Sequence, residues 1–136
     1  MRNKEGDLCE YRFSEAEKTL ESARLNMAYD FLKAANNRAY YAVFYAMKAV
    51  LALDGVDFKR HKAVLACFNR SYIAAAMFPR ELGKRISKLK MIREASDYDD
   101  FYLCTPAETK EQIETADWAL GLIREYLKVR RPDKII

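Results

Sequence analysis

Apolar residues recur every three or four positions along most of the chain, which is the spacing that one face of an α-helix produces. The clearest stretch is residues 36–50, NNRAYYAVFYAMKAV. A stripe of alanines runs through it at helical spacing, at Ala35, Ala39, Ala42, Ala46 and Ala49. Side chains this small let a neighbouring helix come close. This helix is therefore predicted to be the one around which the others pack.

Five helices follow from the same periodicity and from residues that start or stop helices. They are predicted at about 6–29, 31–53, 61–73, 80–98 and 105–128. Asp30 is expected to cap the second helix and Gly55 to end it, and Thr105 with Glu108 forms a capping box before the last. The inward side of the first helix is expected to comprise Leu20, Ala23, Leu25, Met27 and Ala28. Short connections then favour an all-α antiparallel bundle of four to five helices.

The size and composition suit one domain with its own core. The chain has 136 residues, of which 51% are hydrophobic, so a core forms without metals or disulfides. The domain is expected to span 1–136, with a core at about 6–128 and a basic, mobile tail at 129–136. Three widely spaced cysteines favour a reducing compartment, and no apolar run resembles a signal peptide or a membrane span. We therefore expect a soluble cytoplasmic protein with no membrane partner.

The charges are unevenly distributed, although the net charge is only +4. Residues 58–94 contain ten Lys or Arg against two acids, whereas residues 97–117 contain seven acids and one Lys. One interpretation is a basic surface that attracts an anionic partner. The other is a set of solvated helix faces without any specific partner.

Candidate chemistry appears first on the second helix. Arg38, Tyr41 and Tyr45 lie on one side of it, while Tyr40 and Phe44 are expected to pack in the core. The first three residues offer a guanidinium and two phenols together, unless these rings are also lost in the core.

The second candidate set lies near the end of the fourth helix, at Arg93, Asp97 and Tyr98. Arg93 and Asp97 are four residues apart and can form an ordinary surface ion pair, which is weak when exposed. Alternatively, Arg93 faces a polar cleft and meets a phosphate, to which its planar guanidinium donates in pairs.

His61 is the only histidine, and it is predicted at the start of the third helix. Its neighbours Arg60 and Lys62, with the positive helix end, disfavour its protonation. It either takes part in acid–base chemistry or simply ties down the helix start. The sequence has no glycine-rich phosphate loop, no familiar metal-ligand spacing and no nucleophile–histidine pair. We expect neither a metal nor a cofactor.

These stretches together resemble the HEPN domain family, and more narrowly its small stand-alone prokaryotic members. The matching stretches are ESARLNMAYDFLKAANNRAYYAVFYAMKAVL, GVDFKRHKAVLACF, REL at 80–82 and REASDYDDF at 93–101. The likeness runs from about Glu15 to Trp118. It implies an up-and-down bundle, often homodimeric, and frequently encoded beside a minimal nucleotidyltransferase as a toxin–antitoxin-like pair.

Many HEPN domains are metal-independent ribonucleases, with an arginine and a histidine about one turn later. Arg93 stands where that arginine is expected, but residues 94–98 are EASDY and contain no histidine. This departure argues against ribonuclease activity, since Tyr98 carries a phenol with an ordinary pKa near 10 and is a poor base at neutral pH.

Three functions remain open. The preferred hypothesis is a HEPN-like module that partners a nucleotidyltransferase and binds nucleotide or RNA. Its candidate ligand-binding residues are Asn37, Arg38, Tyr41, Tyr45, His61, Lys62, Arg93, Asp97 and Tyr98. One alternative is a metal-independent ribonuclease that uses Arg93 with Tyr98 or His61. The other is a structural protein-interaction bundle.

Overall fold

The computed structural model describes residues 4–131, which form five α-helices and one π-helical turn. The helices are α1 (Lys4–Ala28), α2 (Leu32–Leu53), α3 (His61–Phe68), α4 (Arg80–Tyr98) and α5 (Pro106–Arg130). Residues 4–131 contain no strand, so the predicted all-α class is confirmed. No helix in this range is apolar over a stretch long enough to cross a bilayer.

The second helix lies at the centre of the bundle and contacts α1, α3, α4 and α5. The alanine stripe at 35, 39, 42, 46 and 49 is 0% exposed at every position. Near its start, Asn36 donates to Thr109 at the start of α5, whereas Tyr41 meets Arg93 near the end of α4. Helices α2 and α5 therefore run in the same direction and α4 runs against them. This up-and-down order places the early part of α2 beside the late part of α4.

The buried face of α1 follows a single helical stripe, at Cys9, Phe13, Ala16, Leu20 and Ala23. Leu25 is 54% exposed and Ala28 is also exposed, so their predicted inward positions are wrong. Two residues advance a helix by about 200°. Leu25 therefore points away from the side on which Ala23 is buried.

The turn between α1 and α2 closes the first helix and does not cap the second. Asp30 has a φ of 65°, and its N–H donates to the carbonyl of Met27 at 2.9 Å. The N–H of Phe31 donates to the carbonyl of Asn26 at 2.8 Å, which completes a Schellman motif. Phe31 is the N-cap of α2 and makes no side-chain capping bond. The predicted capping role of Asp30 is wrong, because its backbone satisfies the end of α1.

Other helix-end signals are confirmed. Gly55 has a φ of 69° and donates to the carbonyl of Ala52 at 3.1 Å, which ends α2 as predicted. The Thr105 hydroxyl accepts from the N–H of Glu108 at 3.1 Å and caps α5. The carboxylate of Glu108 accepts from the Tyr102 hydroxyl and makes no bond to the N–H of Thr105 among the described residues, so only the Thr105 half of the predicted capping box is confirmed.

The third predicted helix changes its hydrogen bonding partway along. After Phe68 the chain continues as a π-helical turn, Asn69–Ile73, where an unbroken α-helix was expected. The rings of Phe68 and Tyr72 are buried and stack 5.4 Å apart across this change.

The carboxyl end of α5 packs against α1. The helix extends to Arg130, and Arg131 forms an ion pair with Glu10 at 3.1 Å. The first residues of the predicted tail are therefore structured. Its remainder, 132–136, lies outside the described residues.

The alanine stripe can be tested with one substitution at two positions of α2. Ala39 is fully buried and Ala34 is exposed. We expect Ala39→Val to lower the free energy of unfolding by about 1–3 kcal/mol through overpacking. Ala34→Val should lower it by only about 0.5 kcal/mol, through helix propensity. Urea unfolding measures both, and equal effects would show that the stripe is not tightly packed.

Candidate functional site

The aromatic ring of Tyr41 is the place where the predicted site residues meet. The guanidinium carbons of Arg38 and Arg93 each lie 5.2 Å from its centroid. Arg93 also donates from Nη2 to the Tyr41 hydroxyl at 3.0 Å. Because α2 supplies Arg38 and Tyr41 one turn apart, only Arg93 has to arrive from another helix. Since each guanidinium carbon lies 5.2 Å from the same centroid, the distance between the two carbons is at most the sum of these two distances.

Arg93 is held in a largely buried position by aromatic rings. Its guanidinium carbon lies 5.4 Å from the ring of Tyr40 and 5.9 Å from that of Tyr98, and its side chain is 14% exposed. A cation over a ring contributes about 0.5–2 kcal/mol, more as water is excluded. Arg93 Nε lies 3.1 Å from Oδ2 of Asp97, but this contact is too poorly directed to be a hydrogen bond. The predicted ion pair is present, and its Arg93 side chain is largely buried where a surface position was expected, while the side chain of Asp97 is 27% exposed.

Asn37 connects the two arginines through its amide. Its Oδ1 accepts from Nε of Arg38 at 3.0 Å and from Nη2 at 2.8 Å. Its Nδ2 donates to Oδ2 of Asp97 at 3.2 Å. A polar chain therefore runs from Arg38 through Asn37 and Asp97 to Arg93. Within residues 4–131, Arg38 has no carboxylate partner, so the site keeps a net positive charge.

His61 begins α3 and places its ring on the same aromatic surface. The ring centroid lies 4.1 Å from that of Phe44 and 5.5 Å from that of Tyr41. Burial lowers the pKa of His61, and three nearby cations lower it further. These cations are Arg93, Lys48 and Lys90. The predicted direction is confirmed, but the cations come from α2 and α4 and are not the sequence neighbours of the histidine.

The other predicted residues lie at the margin of the site. The ring of Tyr45 is partly buried, 5.9 Å from that of Tyr41. Tyr98 is 75% exposed and reaches the site through its contact with Arg93. Lys62 is exposed on α3, with no hydrogen bond or ion pair to the part of the chain described.

Sequence reasoning assigned Tyr40 and Phe44 to the core, and both are buried, at 1% and 4% exposure. It missed that the same two rings support the site. The ring of Tyr40 packs against the guanidinium of Arg93, and the ring of Phe44 packs against the imidazole of His61. Helical spacing showed that these rings face inward, but not which charged groups they meet.

The geometry is suited to holding a small anion beside aromatic rings. Two guanidinium groups offer planar sets of donors, and one carboxylate competes for them. The imidazole is mainly neutral at pH 7, because its pKa is lowered from 6.5. Among residues 4–131, no group of His, Cys, Asp and Glu is arranged to hold a metal ion.

The fold and the site together define a small helical-bundle protein with an arginine–tyrosine site. The model of the HEPN domain matches residues 9–126. A UPF0332 protein of Thermotoga maritima is 31% identical over 93% of this chain and 96% of its own length. Two proteins of Methanocaldococcus jannaschii, each named a "putative toxin", are 32% and 28% identical. They match 82% and 83% of this chain, and 76% and 81% of their own lengths. The chain belongs to the HEPN domain family, as its resemblance predicted.

The lowered pKa of His61 can be measured directly, because a single histidine gives one set of titrating imidazole signals in NMR. We expect a pKa below 6.5 in the wild type. Arg93→Gln removes one of the charges and should raise that pKa, although burial keeps it below 6.5. Arg85→Gln should leave it unchanged, since Arg85 pairs with Glu81 in an exposed position.

The lowered pKa of His61 also determines how the stability of the fold changes with pH. The folded state disfavours the protonated imidazole, so the contribution of His61 to stability is present above pH 6.5 and is lost as the pH falls towards the folded-state pKa. A wild-type pKa of 6.5 or higher would contradict the buried, cation-flanked position described above.

Proposed function

We propose that this chain is a toxin–antitoxin-like HEPN module that binds a phosphate of a nucleotide or of RNA at the arginine–tyrosine site. The observation that carries the proposal is the convergence of guanidinium groups from two helices on the ring of Tyr41. The relatives named as putative toxins support the toxin–antitoxin part.

Phosphate is favoured over other anions by the type and pairing of the donors. A guanidinium presents donors in a planar fork that matches two phosphate oxygens. Arg38 is bonded to an amide oxygen of Asn37, which holds a cation less strongly than a carboxylate does. A phosphate can therefore replace this partner with a net gain. The exposed ring of Tyr98 offers a face on which a base can stack.

The proposal also assigns the chain a cytoplasmic location, a homodimeric state and a nucleotidyltransferase partner, as the family resemblance implies. Exposed apolar side chains at the end of α4 and in the following loop offer an area that such a contact would cover. They include Phe101 at 96% and Leu103 at 81% exposure. Light scattering of the chain alone, and mixed with a nucleotidyltransferase encoded beside its gene, measures both associations. A monomer in both samples would remove this part of the proposal.

Binding is tested with Arg38→Gln and Arg93→Gln against a labelled single-stranded RNA and against ATP. Loss of one charge-assisted contact is worth about 1.5–3 kcal/mol, so each variant should bind roughly tenfold or more weakly. The control is Arg24→Gln, which removes an equal charge from an exposed ion pair on α1. Fluorescence anisotropy and calorimetry at one fixed salt concentration give the affinities.

Two results would count against the site. One is unchanged affinity in both site variants, and the other is an equal loss in the Arg24 control. If the wild type binds neither ligand but does associate with a protein, the structural interaction bundle becomes the better description.

A second candidate function, metal-independent RNA cleavage, is favoured by the position of His61. The histidine missing after Arg93 in sequence has a counterpart in space, since His61 packs on Tyr41, to which Arg93 donates. A mainly neutral imidazole can take the proton of a ribose 2′ hydroxyl, whose oxygen attacks the adjacent phosphorus as the bond to the 5′ oxygen breaks, and the imidazolium can then return the proton to that leaving oxygen. The guanidinium of Arg93 can stabilise negative charge that develops on the phosphate.

If the chain cleaves RNA in this way, His61→Ala and Arg93→Ala should each lower the rate by about a hundredfold or more. Lys59→Ala, an exposed cation before α3, is the matched control and should retain the activity. The assay is run with a chelator present. Cleavage that persists in both site variants would place the activity elsewhere or in a contaminant.

A further inference from the structure

Asp97 places a carboxylate oxygen against the guanidinium group that the proposed phosphate site uses. Its Oδ2 lies 3.1 Å from Nε of Arg93 and accepts from Nδ2 of Asn37 at 3.2 Å. The amide of Asn37 also accepts from Arg38 through Oδ1. One carboxylate is thus connected to both arginines of the site, to Arg93 directly and to Arg38 through one amide. A bound anion has to compete with it.

The contact between Asp97 and Arg93 is weak enough to be exchanged. It is too poorly directed to be a hydrogen bond, and Nε of Arg93 has no other acceptor within residues 4–131. Asp97 is the penultimate residue of α4, which ends at Tyr98, and its side chain is 27% exposed. A side chain in the last turn of a helix can rotate into water while the packed part of the helix stays in place. A well-directed phosphate oxygen can therefore replace this carboxylate on Arg93.

A carboxylate that remains beside the site acts on each ligand in proportion to the charge of that ligand. Arg38 and Arg93 carry two positive charges and Asp97 carries one negative charge, so the three groups leave one net positive charge. Glu94, the other acid in this part of α4, pairs with Lys90 at 3.7 Å. Coulomb energy is proportional to the product of the charges, so Asp97 opposes a doubly charged phosphate twice as strongly as a singly charged one.

We infer that Asp97 is an internal competitor of the ligand, which occupies Arg93 until a phosphate displaces it and which disfavours doubly charged phosphates more than singly charged ones. This inference rests on the proposed phosphate site and adds the residue that limits its affinity and selects ligands by charge. A carboxylate that only positioned Arg93 would act in the opposite direction, because its removal would weaken binding. A substitution that removes the charge and keeps the shape distinguishes the two roles.

The test is Asp97→Asn, with affinities for AMP and for 3′,5′-cyclic AMP measured by calorimetry at one fixed salt concentration. At about pH 8 AMP carries two negative charges, because the second pKa of a phosphate monoester is about 6, whereas the cyclic diester carries one. We expect the variant to bind the cyclic diester roughly threefold and AMP roughly tenfold more tightly than the wild type, because the gain in log affinity doubles with the charge.

The matched control is Asp100→Asn, which removes an equal charge from an exposed acid in the loop after α4 that forms no ion pair within residues 4–131. It should change either affinity by less than about twofold, since solvent and salt screen exposed charges. The imidazole signals of His61 report whether Arg93 keeps its position in Asp97→Asn, because Arg93 is one of the cations that lower the pKa of His61. A pKa that stays lowered shows that the gain in affinity comes from the lost charge and not from a displaced arginine.

The outcomes separate this inference from the proposed function. If Asp97→Asn binds AMP no more tightly than the wild type while Arg93→Gln still weakens binding, the phosphate site stands and the inference is wrong. An equal gain for the two ligands contradicts the selection by charge. An equal gain in the Asp100 control shows that the effect is not specific to Asp97. If neither the wild type nor Asp97→Asn binds either ligand, the proposed function fails as well.

Discussion

Close packing against the alanine stripe of α2 is the constraint on which the rest of the structure depends. Every alanine of the stripe is fully buried, so the neighbouring helices fix how α2 is rotated about its own axis. Tyr41 lies about 120° around the helix axis from the middle of the stripe and therefore points to one side of it. The rotation of α2 that buries the alanines thus directs Tyr41 towards α4, where its hydroxyl accepts a hydrogen bond from Arg93. A bulkier residue in the stripe would change both the packing and the direction of the site.

The second constraint is electrostatic. Burying a guanidinium is unfavourable unless other groups replace its water, and Arg93 gains three aromatic rings, one phenol oxygen and one carboxylate. This set is not complete, because Nε still lacks a well-directed acceptor. The remaining positive field acts on His61, whose protonation it opposes together with burial. The same cation thereby adds positive charge to the site and opposes protonation of the neighbouring imidazole.

Much of the fold could be predicted because its signals are local. Gly55 and Thr105 each act through backbone groups within a few residues, and both behave as expected. The prediction that Asp30 caps α2 was wrong for a related local reason. A short polar side chain is suited both to the start of one helix and to the left-handed end of another. Its role depended on which of two adjacent helices used its backbone, and a sequence pattern does not distinguish them.

The site was less predictable, because its contacts join residues that are distant in sequence. Arg38 and Tyr41 share a helix turn and could be grouped from spacing. The approach of Arg93, 52 positions beyond Tyr41, required knowing that α4 crosses this part of α2. The location of His61 depended on where α3 begins relative to both helices. Its proximity to Arg93 therefore emerged only from the packing, and so did the identity of the cations that lower its pKa, Arg93, Lys48 and Lys90.

A comparison with the opposite end of the bundle shows why the charge at Arg38 matters. There Arg130 donates to Oδ1 of Asp54 at 2.9 Å, and Tyr72 donates to the second oxygen of the same carboxylate. That arginine is neutralised by a full charge and joins the ends of α2 and α5, which is a structural role. Arg38 has similar neighbours, a tyrosine ring and a polar side chain, but its partner is the uncharged amide of Asn37. An anion that reaches Arg130 must displace a carboxylate, whereas one that reaches Arg38 displaces only an amide. Two similar arginine–tyrosine groups in one chain therefore differ in net charge, because the partner of Arg130 is a carboxylate and the partner of Arg38 is an amide.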